Sequence, residues 1–389
     1  MTGLLQDMLR ERADRRAPGS VDVASVIEAG NRRLRRRRAT VGSLAAAAVA
    51  AGVLVAPHAL LASGAGGRDA DGQVAGRQAA TVHAFAERRP TYALGTVIHY
   101  GARSIDVRER IGSFVQADGG FVYTTDDGRV HLADGRGTEE IGRTGRDGLH
   151  VRSDDTGPLA AWVKLPAGRP AELVVYDTAG REEVVRTHAG TRPGMKSYAD
   201  DPGAAYVLAV DDGTVYWRSD DGLVATVVAS GSTTVLQPGT KPFDVADVAG
   251  GLFAHRAVDA NGSDQTLRLS SDLADPGPAL PSGRTGFFSP AAEYFTAEEG
   301  DEVTVYDTAD RSVATPTSAG YEFVSAYAWL DEHTLSMIGI RQLGNGPQPI
   351  DILRCTVPKG ACELVAADVT TYDESAPVDL ALPFGRKIG

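Results

Sequence analysis

From about residue 91 onward, short runs of Val, Ile, Leu, Tyr and Phe alternate with polar residues, the pattern of strands with one buried face. Between the runs stand Asp118-Gly119, Asp127-Gly128, Asp134-Gly135, Asp212-Gly213, Asp221-Gly222, Asn261-Gly262 and Asn345-Gly346. Such pairs tolerate the positive φ that two-residue hairpin turns need. Long helical periodicity is absent, so the region is predicted to be all-β and antiparallel.

The strand units also repeat. FVYTTDDGRVHLAD at 121–134 resembles VLAVDDGTVYWRSDDG at 207–222, and ELVVYDTAGREEV at 172–184 resembles EVTVYDTADRSVA at 302–314. The tetrapeptide Val-Tyr-Asp-Thr stands at 175–178 and again at 305–308, 130 residues later, close to three units of about 43. A period of about 40–45 residues with four strands per unit is the signature of a β-propeller. Innermost strands are expected near residues 113, 150, 199, 244, 286 and 326, which gives six units. Two further strands in 91–110 lack an inner partner, and a short apolar run near 377–384 supplies one. Pairing the two ends completes a seventh blade and protects the edges that an open ring would expose. Six to eight blades fit the pattern and seven is preferred; a pair of β-sandwiches is the structural alternative.

Ahead of this region the texture differs. Residues 39–67 hold no Asp, Glu, Lys or Arg, and 41–62 (VGSLAAAAVAAGVLVAPHALLA) are long enough to cross a bilayer as a helix. Arg32, Arg33, Arg35, Arg36, Arg37 and Arg38 abut its N-terminal end, with no comparable basic cluster after it. The positive-inside rule then puts residues 1–38 in the cytoplasm and the C-terminal part outside. The expected plan is an Arg-rich cytoplasmic head (1–38) with short helices, a transmembrane helix (39–62), a flexible Gly/Ala-rich tether (63–90) and the propeller (91–389). A cleaved signal peptide competes, with small residues near 62–65, although 38 residues is long for an n-region. A twin-arginine signal would want apolar residues soon after the Arg pair, and a buried Ala-rich helix is the remaining alternative. The head is too short to build a core alone. It reads first as two marginal helices on anionic lipid and second as a docking segment for a cytoplasmic partner.

Charge supports two environments. The chain of 389 residues has a net charge of −12, yet residues 1–38 carry ten Arg against five acids, leaving −17 for the rest. That balance argues against a nucleic-acid binder. An extracytoplasmic protein or peptide is the expected ligand, basic or neutral.

Within the repeat, FSPAAEYFTAEEGDEVTVYDTADRSV (288–313) is similar to the Ser-Pro-Asp-Gly…Val-Tyr-Asp repeat of TolB-like and WD-repeat-like propellers. Ser289-Pro290 matches, Ala291-Ala292 replaces Asp-Gly, and no Trp-Asp dipeptide occurs. The plan of head, span and exported propeller also resembles a type of actinobacterial membrane protein. The resemblance is architectural. It implies a propeller and transfers no catalytic residue, because such rings host many functions.

Candidate chemistry is sparse. Cys355 and Cys362 are the only cysteines; they flank a Pro358–Gly360 turn between two apolar runs and are expected to form a disulfide in an exported domain. Free thiols or half of a zinc site are the alternatives, the latter lacking a nearby second ligand pair. No zincin helix, Gly-x-Ser-x-Gly elbow, Ser-x-x-Lys, dinucleotide fingerprint or P-loop occurs, and no catalytic residue, metal or cofactor is expected. Thr124-x-Asp126-x-Gly128 and Ser153-x-Asp155-x-Gly157 resemble part of an Asp-box and read as strand turns. The acidic clusters Asp200-Asp201, Asp211-Asp212, Asp220-Asp221 and Asp259-x-Asn261 read as solvated hairpin tips rather than calcium loops. Trp162, Trp217 and Trp329 read as packing between blades.

The function expected is a non-catalytic binding, sensor or scaffold module on the outer face of the plasma membrane, with signalling through the Arg-rich head. The rivals are an envelope propeller hydrolase or lyase, and a transmembrane anti-sigma-like regulator. The enzyme would need carboxylates, His or Arg converging at the axial funnel. The regulator's head here lacks the His-x-x-x-Cys-x-x-Cys of zinc-containing anti-sigma proteins.

Overall fold

The computed structural model describes residues 85–144, 150–165, 171–188, 205–219, 221–238, 245–256, 266–275, 277–299, 302–344, 346–373 and 378–385. Among these, the strands form seven antiparallel sheets, each a blade of a propeller. Blade 1 holds β1 (Thr91–Leu94), β2 (Val97–Tyr100) and β3 (Arg103–Asp106). Blade 2 holds β4 (Ser113–Ala117), β5 (Gly120–Thr124), β6 (Arg129–Asp134) and β7 (Gly137–Arg143). Blade 3 holds β8 (Val151–Ser153), β9 (Leu159–Lys164), β10 (Glu172–Asp177) and β11 (Glu182–His188). Blade 4 holds β12 (Tyr206–Asp211), β13 (Thr214–Ser219), β14 (Gly222–Val227) and β15 (Ser232–Pro238). Blade 5 holds β16 (Val245–Ala249), β17 (Leu252–Arg256) and β18 (Leu267–Ser270), and blade 6 holds β19 (Thr285–Phe288), β20 (Tyr294–Glu299) and β21 (Glu302–Asp307). Blade 7 holds β22 (Phe323–Asp331), β23 (Thr334–Ile340), β24 (Gln348–Thr356) and β25 (Cys362–Tyr372).

The ring closes where the two ends of the propeller meet. Ala93 and Ala381 exchange both backbone hydrogen bonds at 2.9 Å, so the C-terminal run takes the inner place of blade 1. This is the closure expected from the sequence. Two details differ from expectation. Residues 91–110 hold three strands, not two, because Arg103–Asp106 is polar enough to escape an apolar count yet pairs fully with β2. The inner strand expected near 199 begins at Tyr206; residues 189–204 lie outside the described residues.

Burial explains why the alternation in the sequence is imperfect. In blade 2, β4 and β5 are buried at every position while the outermost β7 is mostly exposed. Inner strands are covered on both faces by neighbouring blades and so read as continuous apolar runs. The tryptophans fill these seams. Trp162 lies between blades 2 and 3, Trp217 between 3 and 4, and Trp329 between 6 and 7.

The repeated Val-Tyr-Asp-Thr is a turn device. Asp177 accepts the N–H groups of Ala179 and Gly180, and Thr178 bonds the Pro158 carbonyl through both its N–H and its hydroxyl. In blade 6, Asp307 accepts the N–H groups of Ala309 and Asp310, and Thr308 bonds the Glu293 and Ala292 carbonyls in the same way. The blade 3 turn also lies against Gly119, where a Cβ would stand 2.2 Å from the Thr178 carbonyl oxygen.

Cys355 and Cys362 sit directly opposite each other on β24 and β25 and are joined by a disulfide. Among the described residues no helix is long and apolar enough to cross a membrane. The predicted span 39–62, the head and Arg32, Arg33, Arg35, Arg36, Arg37 and Arg38 lie outside the described residues.

Candidate functional site: the axial channel

The first strands of the blades surround a cavity of about 230 Å³ on the ring axis. Asp154 and Val210 form a parallel bridge between adjacent inner strands, so the turns that follow these strands gather on one face. Residues 85–90 run along that face. Gln116 Nε2 donates to the Phe85 and Glu87 carbonyls at 2.8 and 3.0 Å, and the Tyr100 hydroxyl also donates to Glu87 O. Arg88 is the latch: its guanidinium donates to the Asp155, Phe85 and Asp154 carbonyls and pairs with Asp118 at 3.2 Å.

Four aspartates line the channel from three consecutive blades: Asp154 and Asp155 directly after the inner strand of blade 3, Asp211 at the end of that of blade 4 and Asp247 within that of blade 5. Asp155 is accessible to channel water but ringed by protein. Desolvation, with Asp154 adding repulsion and Arg88 opposing it, pushes its carboxyl up to about 6. Desolvation and then the charges of Asp154, Asp212 and Asp155 push Asp211 up to about 7, against a hydrogen bond from the Gly250 N–H. Asp247 is likewise pushed up to about 7 by desolvation, opposed by the Phe288 N–H, which donates to Oδ2 at 2.8 Å. Asp154 is raised by burial, against the Thr156 N–H and hydroxyl.

The pattern has a rule. Asp211 of blade 4 takes an N–H of blade 5, and Asp247 of blade 5 takes an N–H of blade 6. Glu332, in the turn after β22, takes the Ser289 hydroxyl and the N–H groups of Ala291 and Glu293 from blade 6. Each carboxyl reaches across a seam to the backbone of its neighbour. The C-terminal end joins in: Gly385 N–H donates to Phe114 O, Val151 N–H donates to Gly385 O, and Arg152 donates to Phe384 O.

Asp211 corrects the sequence reading. It was expected at a solvated hairpin tip, but it closes the inner strand of blade 4 and faces the channel. The doubled acid Asp211-Asp212 was the visible signal; what hid it is that a strand's last residue and a turn's first residue look alike in sequence. Asp247 sits in an apolar run and gave a clearer hint, since a lone acid inside VADVA needs a partner. Asp155 stands in a turn as expected, yet that turn opens on the channel. The other acidic clusters, Asp200-Asp201 and Asp259-x-Asn261, lie outside the described residues, as does Asp220. Trp329 packs in its seam as expected and also forms channel wall, its Nε1 donating to Thr296 Oγ1.

No histidine is among the channel-lining residues, and neither Cys355 nor Cys362 is. Among the described residues no group of three or more His, Cys, Asp and Glu is arranged to hold a metal ion. The channel therefore offers proton-exchanging carboxyls, two arginines engaged with backbone carbonyls, and the Ser325 hydroxyl donating to Glu298 Oε1 at 2.9 Å.

No protein-family model and no curated protein sequence matches the chain. Solved structures do. The computationally designed protein Ika8 is 11% identical with a TM-score of 0.42, covering 70% of this chain and 91% of that one. TolB from Acinetobacter baumannii is 12% identical with a TM-score of 0.36, over 75% of this chain and 66% of that one. The C-terminal WD40 domain of Sif2 is 8% identical with a TM-score of 0.39, over 70% and 81%. Likeness at that level carries no argument of its own, and the assignment of a seven-bladed β-propeller rests on the seven sheets of this chain.

Proposed function

We propose that this chain is a membrane-anchored, extracytoplasmic β-propeller that works as a non-catalytic binding or scaffold module. The observation that carries the binding reading is how the channel's polar groups are used. Asp211, Asp247, Arg88 and Arg152 converge on the axis, as an enzyme would require, but each is tied to backbone of an adjoining segment. Groups held that way rigidify a ring whose loops present a surface. The anchor reading rests on the uncharged stretch 39–67 and the arginines that precede it. In that arrangement residues 85–90 join the propeller on the face bearing the acidic channel mouth, and the membrane lies on that side. Signalling through residues 1–38 to a cytoplasmic partner is the extension of this reading.

The test is protease shaving of intact cells combined with alkaline extraction of membranes. The expected result is loss of the propeller to external protease, with an N-terminal fragment kept in the membrane fraction. A propeller protected in intact cells, or released whole by alkaline extraction, overturns the reading.

A further inference from the structure

We propose that the channel carboxyls Asp155, Asp211 and Asp247 make the seams of blades 3, 4 and 5 a pH-responsive joint, closed when they are neutral and strained when their charges must be held in the channel wall. The joint is a property of the ring and stands whether or not the channel takes a ligand.

The argument starts from placement. Three consecutive blades each bring a carboxyl to one cavity of about 230 Å³. Asp211 and Asp247 are half-buried in its wall, where a charge is poorly solvated, and the charge of Asp155, itself exposed to the channel, repels both. Asp154 beside Asp155, Asp212 beside Asp211, and Glu332 across the turn face add negative charge to the cluster. Arg88 and Arg152 oppose it, and neither is free to neutralise all three acids. Arg88 is committed to carbonyls and to Asp118, and Arg152 donates to Phe384 O. The other charged residues on the cavity wall are Glu298, which accepts the Ser325 hydroxyl, and Arg89, which pairs with Glu87 and lies over Tyr100.

The values near 6 and 7 put the switch in the neutral range. The sign follows from linkage. The folded ring holds protons that the unfolded chain, with ordinary Asp near 3.9, has already lost. Stability from this cluster is therefore greatest in acid, falls as pH rises from about 4 to about 7, and levels off above that. Hydrogen bonds from Gly250 and Phe288 moderate the effect, since both favour the ionised form.

The test uses the full-length protein in mild detergent and compares it with D211N/D247N; E302Q serves as an exposed-carboxylate control. Between about pH 5.5 and pH 7.5 the wild-type unfolding midpoint should fall by about 5 °C relative to the double variant, while E302Q tracks the wild type. Calorimetry in buffers of different ionisation enthalpy at about pH 5.5 should show wild type releasing about two more protons on unfolding than the double variant. The difference matters because His99 and His131, whose affinities burial lowers, take up protons on unfolding at the same pH. Parallel pH profiles or equal proton counts overturn the proposal. If the double variant fails to fold, the infrared carboxylic-acid band of the wild type decides. It should persist at about pH 6, where ordinary carboxylates are ionised, and vanish by about pH 8.5. Its absence at about pH 6 also overturns the proposal.

Discussion

Blades 3 and 6 share an outer plan and differ at the axis. Both carry Val-Tyr-Asp-Thr on their third strand, and in both the Asp caps the turn while the Thr clasps the preceding turn's carbonyls. Their inner strands end differently. Blade 3 finishes in Asp154-Asp155, facing the channel, whereas blade 6 finishes in Ser289-Pro290, where the Ser289 hydroxyl is held by Glu332 of blade 7. Repetition in the sequence thus marks what every blade must do to fold. Divergence falls where the blades meet the axis, and that is where a specific property can be built.

The largest effect tests the claim that the two blades are equivalent in their cores. Trp162 fills the seam of blade 3, and Phe295 packs edge-on to Phe288 at 4.8 Å in the seam of blade 6. Both are fully buried. Truncation of either to Ala should cost about 3–5 kcal/mol, measured by denaturant unfolding. A loss below about 1 kcal/mol in one blade only would end the equivalence.

The disulfide separates the blades. Blade 3 has its own fourth strand, β11, but blade 6 has three strands and leans on the hairpin of blade 7. Thr317 N–H donates to Gly360 O, Cys362 N–H to Thr317 O and Lys359 N–H to Ala314 O. Cys355–Cys362, seven residues apart, fixes that hairpin. The C355S/C362S variant should lose about 2–3 kcal/mol, as closure of a loop of about eight residues implies. Amide exchange should rise along 314–317 and stay unchanged in β9 and β10. Uniform acceleration would mean that blade 6 does not depend on the hairpin.

The turn clasps come next. Thr178→Val and Thr308→Val keep the shape and remove the two hydrogen bonds of each hydroxyl, so each should cost about 1–2 kcal/mol. The loss at Thr178 should also release the contact with blade 2, because Gly119 N–H donates to its hydroxyl at 3.1 Å. Equal losses with no effect on blade 2 would reduce the tetrapeptide to a local turn.

These cases show what was legible in the sequence. The repeat follows from local chemistry, namely Asp-Gly turns, alternation and the spacing of Val-Tyr-Asp-Thr, and pairing the two ends of the repeat makes seven the preferred count among six to eight. The disulfide was legible for the same reason, since eight residues of hairpin leave the two thiols little choice. The channel was not. Asp155, Asp211 and Asp247 are separated by steps of 56 and 36 positions along the chain, and only radial closure brings them to one axis. Nothing local distinguishes an acid that ends an inner strand from one that begins a solvated turn. β3 was missed because RSID is nearly all polar, and the hydrogen bonds to β2 decide its conformation.

The smallest effect addresses the divergence directly. Asp154 is raised by burial, so it too holds a proton more tightly in the folded state than in the unfolded one. Its contribution to stability is therefore present in acid and lost as pH rises above the ordinary Asp value near 3.9. Asn at this position keeps an acceptor for the Thr156 N–H, which bonds Oδ1 at 3.0 Å, and removes the charge. Asp154→Asn should flatten the pH dependence of unfolding. Ser289→Ala, which loses bonds to Glu332 and to the Tyr294 N–H but removes no charged group, should lower stability across the range and change the slope less than Asp154→Asn does. Ser289 does not titrate, and the Glu332 beside it keeps two backbone N–H partners in the variant. Equal slopes in all three proteins would mean that blade 3 and blade 6 end alike in every respect that pH can reach.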